Sequence, residues 1–561
     1  MQSSIKNFLL SILGTLFIVS SLPAQDELIN WHQLGPESEF PTGIRSAEWY
    51  ANAPAAKPKT IIVAVLDCGV DINHPDLKDH IWINEDEIPG NKTDDDHNGY
   101  IDDISGWNFL GGPDGQSVLH ESLEVTRLYG AEKAKWEGVE TSRLKGKKKK
   151  EYESFLKKKE LVESKLENAN AQITQVKEMQ EIVVKSLTSA NEELNGDTIN
   201  LERLESSGND DLQIAARIIR NVEEQGVYVE SIEWLMAVID TQFLEQIAES
   251  EEIAKYTYNT DYNARTIVGD SYYDFGNRSY GNNDVKGEYS NHGTHVAGII
   301  GAVRNNGIGM DGVADHVAIM SVKLVPDGDE RDKDVANGII YAVDNGAQVI
   351  NMSFGKGYSP EKYLVDNAMK YAARHDVLIV QGSGNDGSDM DENPEFPNDT
   401  YMKKPFLGPK QAPNVISVGA LSPEGGENAV AEFSNYGKKE VDVFAPGVYI
   451  YATTPENTYN YLSGTSMASP VVAGMAALIR SRYPDLSASQ VKDIIIKSTD
   501  KLPASVIQPG TFNTVQSSDL SVSGGMVDLV TAMKLAGATK GKAKKKNRVA
   551  TTEYVPAGPK V

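Results

Sequence analysis

The sequence predicts an α/β protein with a mostly parallel central sheet, interrupted by an inserted α-helical subdomain. Three observations predict it. Short β-branched apolar runs recur along the chain, and helical patterns stand between several of them. One central region has few strand-like runs and much helix. Strands that alternate with helices give parallel sheets, with sites at the carboxyl ends of the strands.

The elements follow in order. Residues 1–24 read as a secretory signal: Lys6 supplies the positive start, Phe8 to Leu22 is apolar but short for a bilayer, and Ala24 precedes the cleavage point. The protein is therefore expected to be secreted or periplasmic, with no stable membrane insertion after cleavage. The first part of the α/β domain is expected over 25–112. It holds the buried strand TIIVAVLD, Thr60 to Asp67. Its second part is expected over 264–537, with strands near 317–325, 348–354, 377–384, 414–421 and 441–447 and helices near 335–347 and 361–376. A basic tail, 538–561, reads as disordered.

Between the two parts, 113–263 is expected to be a helical insertion. Phe155, Val162, Leu166, Ala169, Ile173, Val176, Val183 and Leu187 follow a three–four spacing, with Lys159 at one early position. That spacing predicts a helical hairpin or short coiled coil. LQIAARIIRNV (212–222) and SIEWLMAVIDTQFLEQIA (231–248) predict helices with broader apolar faces.

The balance of 80 acidic against 54 basic residues leaves a net charge of −26. Such a surface repels phosphate backbones and argues against a nucleic-acid partner. The one cysteine, Cys68, excludes an intrachain disulfide. An exported chain without disulfides needs another staple, and bound calcium is a common one.

Three stretches carry chemistry. VAVLDCGVDINHPDL ends a strand at Asp67. YSNHGTHVAGIIGAV opens a small-residue helix near His292. LSGTSMASPVVAGMAALI opens another near Ser466, with Pro470 in its first turn. An alcohol is a poor nucleophile at neutral pH and needs an imidazole base. The imidazole needs a carboxylate on its second nitrogen. A nucleophile at a helix start also lies near backbone N–H groups that can hold an oxyanion.

With HGTHVAG and GTSMASP complete and in the order Asp…His…Ser, the chain resembles the subtilisin-like serine proteases. The resemblance covers roughly 30–112 and 264–537, including AEFSNYG (431–437) and FAPG (444–447). It implies a three-layer α/β/α fold and a secreted endopeptidase of protein or peptide substrates. It implies that Asp67 orients the imidazole, His292 is the general base and acid, and Ser466 attacks the carbonyl. His295 is then structural. Asn385, in GSGND, matches the side-chain amide that donates to the oxyanion beside the Ser466 N–H. Ser353, Phe354 and Gly355 match the strand that pairs with substrate, and Gly382, Ser383 and Gly384 the facing wall. Small residues there leave room for a sizeable apolar side chain before the scissile bond (P1). The pocket floor falls in the acidic stretch 388–405, and a basic P1 preference stays open. Cys68 stands where the family more often has Ser or Thr. It is expected to be a packing residue, and sensitivity to mercurials is the sharper alternative.

Calcium is the expected cofactor, at two sites. In TDDDHNGYIDDISGW, Asp94, Asp96, Asn98, Gly99 and Asp102 fall at positions 1, 3, 5, 6 and 9 of a calcium-loop pattern. Tyr100 would offer its carbonyl, and Asp102 or Asp103 would close the shell in place of the usual Glu. The second site comes from the resemblance alone. Asp76 and Asn306 would use side chains there, and Arg304, Ile308 and Met310 their carbonyls.

Asp67 and His292 are 225 positions apart, where the family usually needs a few dozen. The excess is the insertion, which must leave and re-enter at neighbouring points. It is a candidate for solvated decoration, substrate gating or partner docking. A competing reading of the whole chain is a binding or processing module that retains the protease fold.

Overall fold

A computed structural model describes residues 29–35, 41–54, 58–140, 142, 144–403 and 409–542. The expected signal segment and the tail beyond 542 lie outside the described residues. Two compact units form: Val125–Tyr262, and the flanking segments ending at Glu124 and resuming at Asn263.

The first unit is helical. It is built from α1 (Glu124–Trp136), α2 (Gly146–Leu194), α3 (Asp210–Glu224) and α4 (Ile232–Glu252). α2 is one uninterrupted helix of 49 residues, about 74 Å at ~1.5 Å per residue. The expected hairpin therefore does not form within this stretch, and its apolar stripe finds α3 and α4 instead. Phe155, Val162, Ala169, Val176, Val183 and Leu187 are buried, while Leu166 and Ile173 are half-buried. Val176, Val183 and Leu187 join Ile219 of α3 and Leu235, Ile239 and Phe243 of α4 in one apolar cluster. Nearer the start of α2, Phe155 packs 5.7 Å from Tyr129 of α1. Lys158, not Lys159, takes the buried place, where Glu132 Oε2 pairs with it at 3.1 Å. Asn209 and Ser231 cap α3 and α4 through their side-chain oxygens. The ends of the unit meet, because Thr126 Oγ1 donates to the Thr257 carbonyl at 2.9 Å.

The second unit carries β1 (Ile61–Asp67), β2 (Gly106–Asn108), β3 (Val317–Lys323), β4 (Val349–Met352), β5 (Leu378–Gly382), β6 (Val415–Leu421) and β7 (Val443–Pro446). β8 (Ile450–Thr454) and β9 (Thr458–Leu462) form a hairpin. β10 (Asp500–Lys501) follows, then the hairpin of β11 (Ser505–Ile507) and β12 (Thr514–Gln516), then β13 (Gly525–Met526). Nine strands form one sheet in the order β10-β13-β7-β6-β5-β4-β1-β3-β2. Only β10 and β13 pair antiparallel in it.

Six helices flank the sheet: α5 (Asn291–Gly301), α6 (Asp332–Asp344), α7 (Lys362–Arg374), α8 (Thr465–Arg482), α9 (Ala488–Lys497) and α10 (Leu529–Ala538). The twofold alternation of a strand sends neighbouring side chains to opposite faces. Ile61, Val63 and Val65 meet Val296 and Ile299 of α5 and Val471 and Met475 of α8 on one face. Leu66, on the other, meets α6 where Gly338 admits close approach. The fold is thus three-layered, α/β/α. Residues 113–124 belong to this unit and not to the insertion, because Glu121 N–H donates to the Asp327 carbonyl at 2.7 Å. Among the described residues no helix is long and apolar enough to cross a membrane.

Candidate active site

β1 ends at Asp67, whose side chain is 1% exposed. Asp67 Oδ1 accepts from His292 Nδ1 at 2.8 Å and from the Cys68 N–H at 2.8 Å. A carboxylate partner fixes the proton on Nδ1 and leaves Nε2 as the acceptor. His292 lies in the first turn of α5. A β-carbon on its neighbour Gly293 would collide with the Gly69 carbonyl and stand 3.1 Å from Asp67 Cβ. The glycine is what lets α5 approach the strand end. Burial depresses the imidazole, but the charge and hydrogen bond of Asp67 outweigh it and hold His292 above its ordinary value. His295 differs. Its Nε2 lies 3.0 Å from the Ile450 carbonyl and 3.1 Å from that of Asn460, and burial holds it down at about 4. It is a neutral structural group. Burial first, and then the charge of Asp67, pushes the Cys68 thiol far up. Cys68 is a half-buried thiol, not a thiolate nucleophile.

Ser466 is the second residue of α8. The register of β1 against β4 pairs Leu66 with Met352, so Ser353 stands beside Asp67 at the carboxyl edge of the sheet. Ser353 Oγ donates to the Ser466 carbonyl at 2.9 Å, which seats the start of α8 at that edge. Ser466 Oγ donates to the Ser353 carbonyl at 3.2 Å, a long bond for a hydroxyl and a weak restraint. Behind it, Ser469 Oγ donates to Asn351 Oδ1 at 2.8 Å, and Asn351 Nδ2 donates to Ser353 Oγ at 2.9 Å.

Asn385 follows the turn after β5. Its Oδ1 accepts from the Thr465 N–H at 2.8 Å and from Thr465 Oγ1 at 3.1 Å. With the oxygen held, Nδ2 is directed outward. A point built as a β-carbon on Gly464 lies 3.5 Å from Asn385 Nδ2 and 3.6 Å from the Ser466 nitrogen. The two nitrogens therefore border one small space, which Asn385 Oδ1 also borders at 3.7 Å. Phe354 and Gly355 run on from Ser353 after β4, and the expected facing stretch, Gly382, Ser383 and Gly384, is held by Ser383 Oγ on the Asn435 carbonyl at 3.1 Å and by the Gly384 N–H on Thr465 Oγ1 at 3.1 Å.

In the acidic loop, Asp94 accepts from the N–H groups of Asn98 (3.0 Å) and Gly99 (2.9 Å), and Asp96 accepts from Asn98 Nδ2 at 3.0 Å. Tyr100 N–H donates to Asn98 Oδ1 at 2.8 Å. Glu87, which the loop pattern does not contain, joins Asp94 and Asp96, with one oxygen of each within 4.8 Å of the others. Three carboxylates with neighbouring amide and carbonyl oxygens suit a hard dication. Asp102 serves another purpose. Its oxygens accept from the N–H groups of Gly90 (2.8 Å) and Lys92 (2.9 Å), so it caps that turn instead of closing the shell. Asp103 accepts from Asn84 and Asn98 side chains and from Tyr341 of α6 at 2.6 Å, and so anchors the loop to the core.

Around Asp76, Asn306 Nδ2 donates at 2.6 Å, the Met310 N–H at 3.3 Å and Tyr459 of β9 at 3.4 Å. Ile308 N–H donates to Asn306 Oδ1 at 3.1 Å. The Arg304 guanidinium turns aside, 3.9 Å over the Tyr50 ring and 2.8 Å from Gln33 Oε1. The loop and Asp76 thus come together, though with a single carboxylate.

A family model described as the subtilase family matches residues 58–517. The chain is 37% identical over 259 residues to the thermophilic serine proteinase of Bacillus sp. (strain AK1), covering 46% of this chain and 57% of that one. It is 41% identical over 215 residues to subtilisin DY of Bacillus licheniformis, covering 38% and 71%. It is 36% identical over 238 residues to the cell wall-associated protease of Bacillus subtilis (strain 168), covering 42% and 24%. The chain thus spans little more than half of the first relative and about a quarter of the third. The matched span holds every residue from Asp67 to Ser466, and on that span the chain belongs to the subtilase family.

Proposed function

We propose that this chain is an exported serine endopeptidase acting on proteins or peptides through Asp67, His292 and Ser466. The observation that carries the reading is the 2.8 Å bond between His292 Nδ1 and Asp67 Oδ1, beside the helix whose second residue is Ser466. In this reading Ser466 Oγ attacks the scissile carbonyl while its proton passes to His292 Nε2. The carbonyl π pair moves onto oxygen, between Asn385 Nδ2 and the Ser466 N–H. Collapse breaks the C–N bond, and the leaving amine takes the proton from His292. Water then gives a proton to His292 and its oxygen to the acyl carbon, and Ser466 recovers its proton as the acid product leaves. Asp67 keeps the tautomer and stabilises the imidazolium.

Glu87, Asp94, Asp96, Asn98 and the Tyr100 carbonyl would hold a calcium ion. Asp76, Asn306 and the carbonyls of Arg304, Ile308 and Met310 would hold a second. Bound calcium supplies a fixed positive charge that ties these loops down.

A fluorophosphonate probe tests the reading. Labelling at Ser466, abolished in Ser466→Ala, is expected. A folded protein that takes up no label would sink it.

A further inference from the structure

The acidic stretch that follows the second wall is set in register by the fold. Phe396 N–H donates to the Lys356 carbonyl at 2.9 Å, and Lys356 N–H donates to the Phe396 carbonyl at 2.8 Å. This pairing runs directly on from Gly355 and brings Glu395 to the wall. Glu395 Oε2 lies 3.4 Å from where a β-carbon on Gly355 would stand, and 2.5 Å from where one on Gly384 would stand. The carboxylate therefore occupies the gap between the two walls, where small residues leave space for the P1 side chain.

The position is built. Asn435, fully buried in the AEFSNYG motif, donates Nδ2 to Glu395 Oε1 at 3.0 Å and to the Ser383 carbonyl at 3.0 Å. Its Oδ1 accepts from the N–H groups of Asp386 (3.0 Å) and Ser388 (2.9 Å). One asparagine thus fixes a wall, the Glu395 carboxyl and the backbone that carries Asp386. Among the described residues no lysine or arginine pairs with Glu395 or Asp386. Burial first, and then the Asp386 carboxyl beside it, push Glu395 up to about 8. An acid pair that holds a proton for want of a counter-charge will exchange that proton for a fixed cation.

We propose that Glu395, held by Asn435 between Gly355 and Gly384, makes the P1 pocket select lysine and arginine side chains. The proposal rests on the proteolytic reading above. It replaces the apolar P1 preference suggested by the small walls alone, because those walls do not include the carboxylate between them.

Peptide anilides that differ only at P1 test it, with fluorophosphonate labelling of Ser466 run on the same samples. Wild-type kcat/KM is expected to favour Arg and Lys over Phe and Leu. Glu395→Gln, which keeps the shape and a partner for Asn435, is expected to lower the Arg-to-Phe ratio roughly 30-fold or more. A labelled enzyme that prefers Phe or Leu, or whose ratio Glu395→Gln leaves unchanged, overturns the proposal and leaves the proteolytic reading standing. Calorimetry with benzamidine on full-length Ser466→Ala reads the pocket without turnover. Saturable binding, weakened at least about tenfold by Glu395→Gln, supports the proposal even if Ser466 takes no label. Absent or unaltered binding overturns it. Should Glu395→Gln not fold, the wild-type P1 profile and benzamidine binding to Ser466→Ala decide alone.

Discussion

Asp67 is a buried charge with one strong task. Both hydrogen bonds it accepts fall on Oδ1, and Oδ2 has no hydrogen-bond partner among the described residues. Asp67→Asn keeps the shape but offers the imidazole the wrong tautomer. It should lower kcat about 10⁴-fold, measured against active sites counted by fluorophosphonate. Asn385→Ala removes one oxyanion donor and should cost about 10²–10³ in kcat with little change in KM. The pH profile follows from His292. Its folded pKa is raised above 6.5 by Asp67, and only the neutral ring can take the Ser466 proton. Activity should therefore rise with pH along a limb centred above 6.5. The residual activity of Asp67→Asn should have its limb at lower pH, and a limb that stays in place would refute the coupling. These residues were legible because their chemistry fixes residue type and chain order. Glu395 was not legible. Its place depends on the pairing of Phe396 with Lys356, forty positions away, and no local pattern announces that.

At the scale of elements, the acidic loop is a set of carboxylates drawn close before any cation is counted. Its spacing disclosed Asp94, Asp96 and Asn98. It could not disclose Glu87, which reaches the loop by folding back from seven residues upstream and accepts the N–H groups of Asp95 (2.8 Å) and Asp102 (3.1 Å). Nor could it show that Asp102, at a positive φ of 54°, would turn toward Gly90 and Lys92. Excess EDTA should lower the melting temperature, and Glu87→Gln should remove part of the calcium-dependent gain, by about 1–2 °C for ~1–2 kcal/mol in a unit of this size. Melting curves that coincide with and without chelator would remove calcium from the account. The long helix shows a different limit. The three–four spacing located its buried stripe, but the stripe does not say which helix covers it. That choice came from α3 and α4, whose broader apolar faces leave Phe243 fully buried.

For the whole molecule, two kinds of buried group pull stability in opposite directions with pH. Burial holds His32 down at about 3 and His295 at about 4, from 6.5. The unfolded chain binds these protons first, so stability is full above about 6.5 and drains as pH falls toward those values, by ~1.4 kcal/mol per group for each pH unit crossed. Burial pushes Glu330 up to about 8 from 4.5. There the folded chain keeps the proton longer, so stability falls as pH rises from about 4.5 to about 8. Below about 6.5 the two histidine terms outweigh the Glu330 term, so these three groups alone put the highest melting temperature near pH 6.5, with a fall on both sides. His32→Phe should flatten the acid slope and Glu330→Gln the alkaline one. Slopes unchanged in both variants would show that other groups set the pH response.

The central strand also has to wait for its neighbours. β1 lies between β3 and β4, where Ile61 meets Val317 and Val63 meets Val349. At ~5–20 residues per second, a ribosome needs roughly 13–50 s after making β1 to supply its first neighbour. For that interval an apolar strand has two open edges and no mate, the condition most prone to mispairing. The helical unit is made within the same interval. It has its own apolar core, and Thr126 and Thr257 close its base. Once it folds, the slack between β1 and β3 shortens by the whole length of that unit, and the loop left to close is correspondingly smaller. A charged helical appendage can thus set the clock for the strand that ends in Asp67.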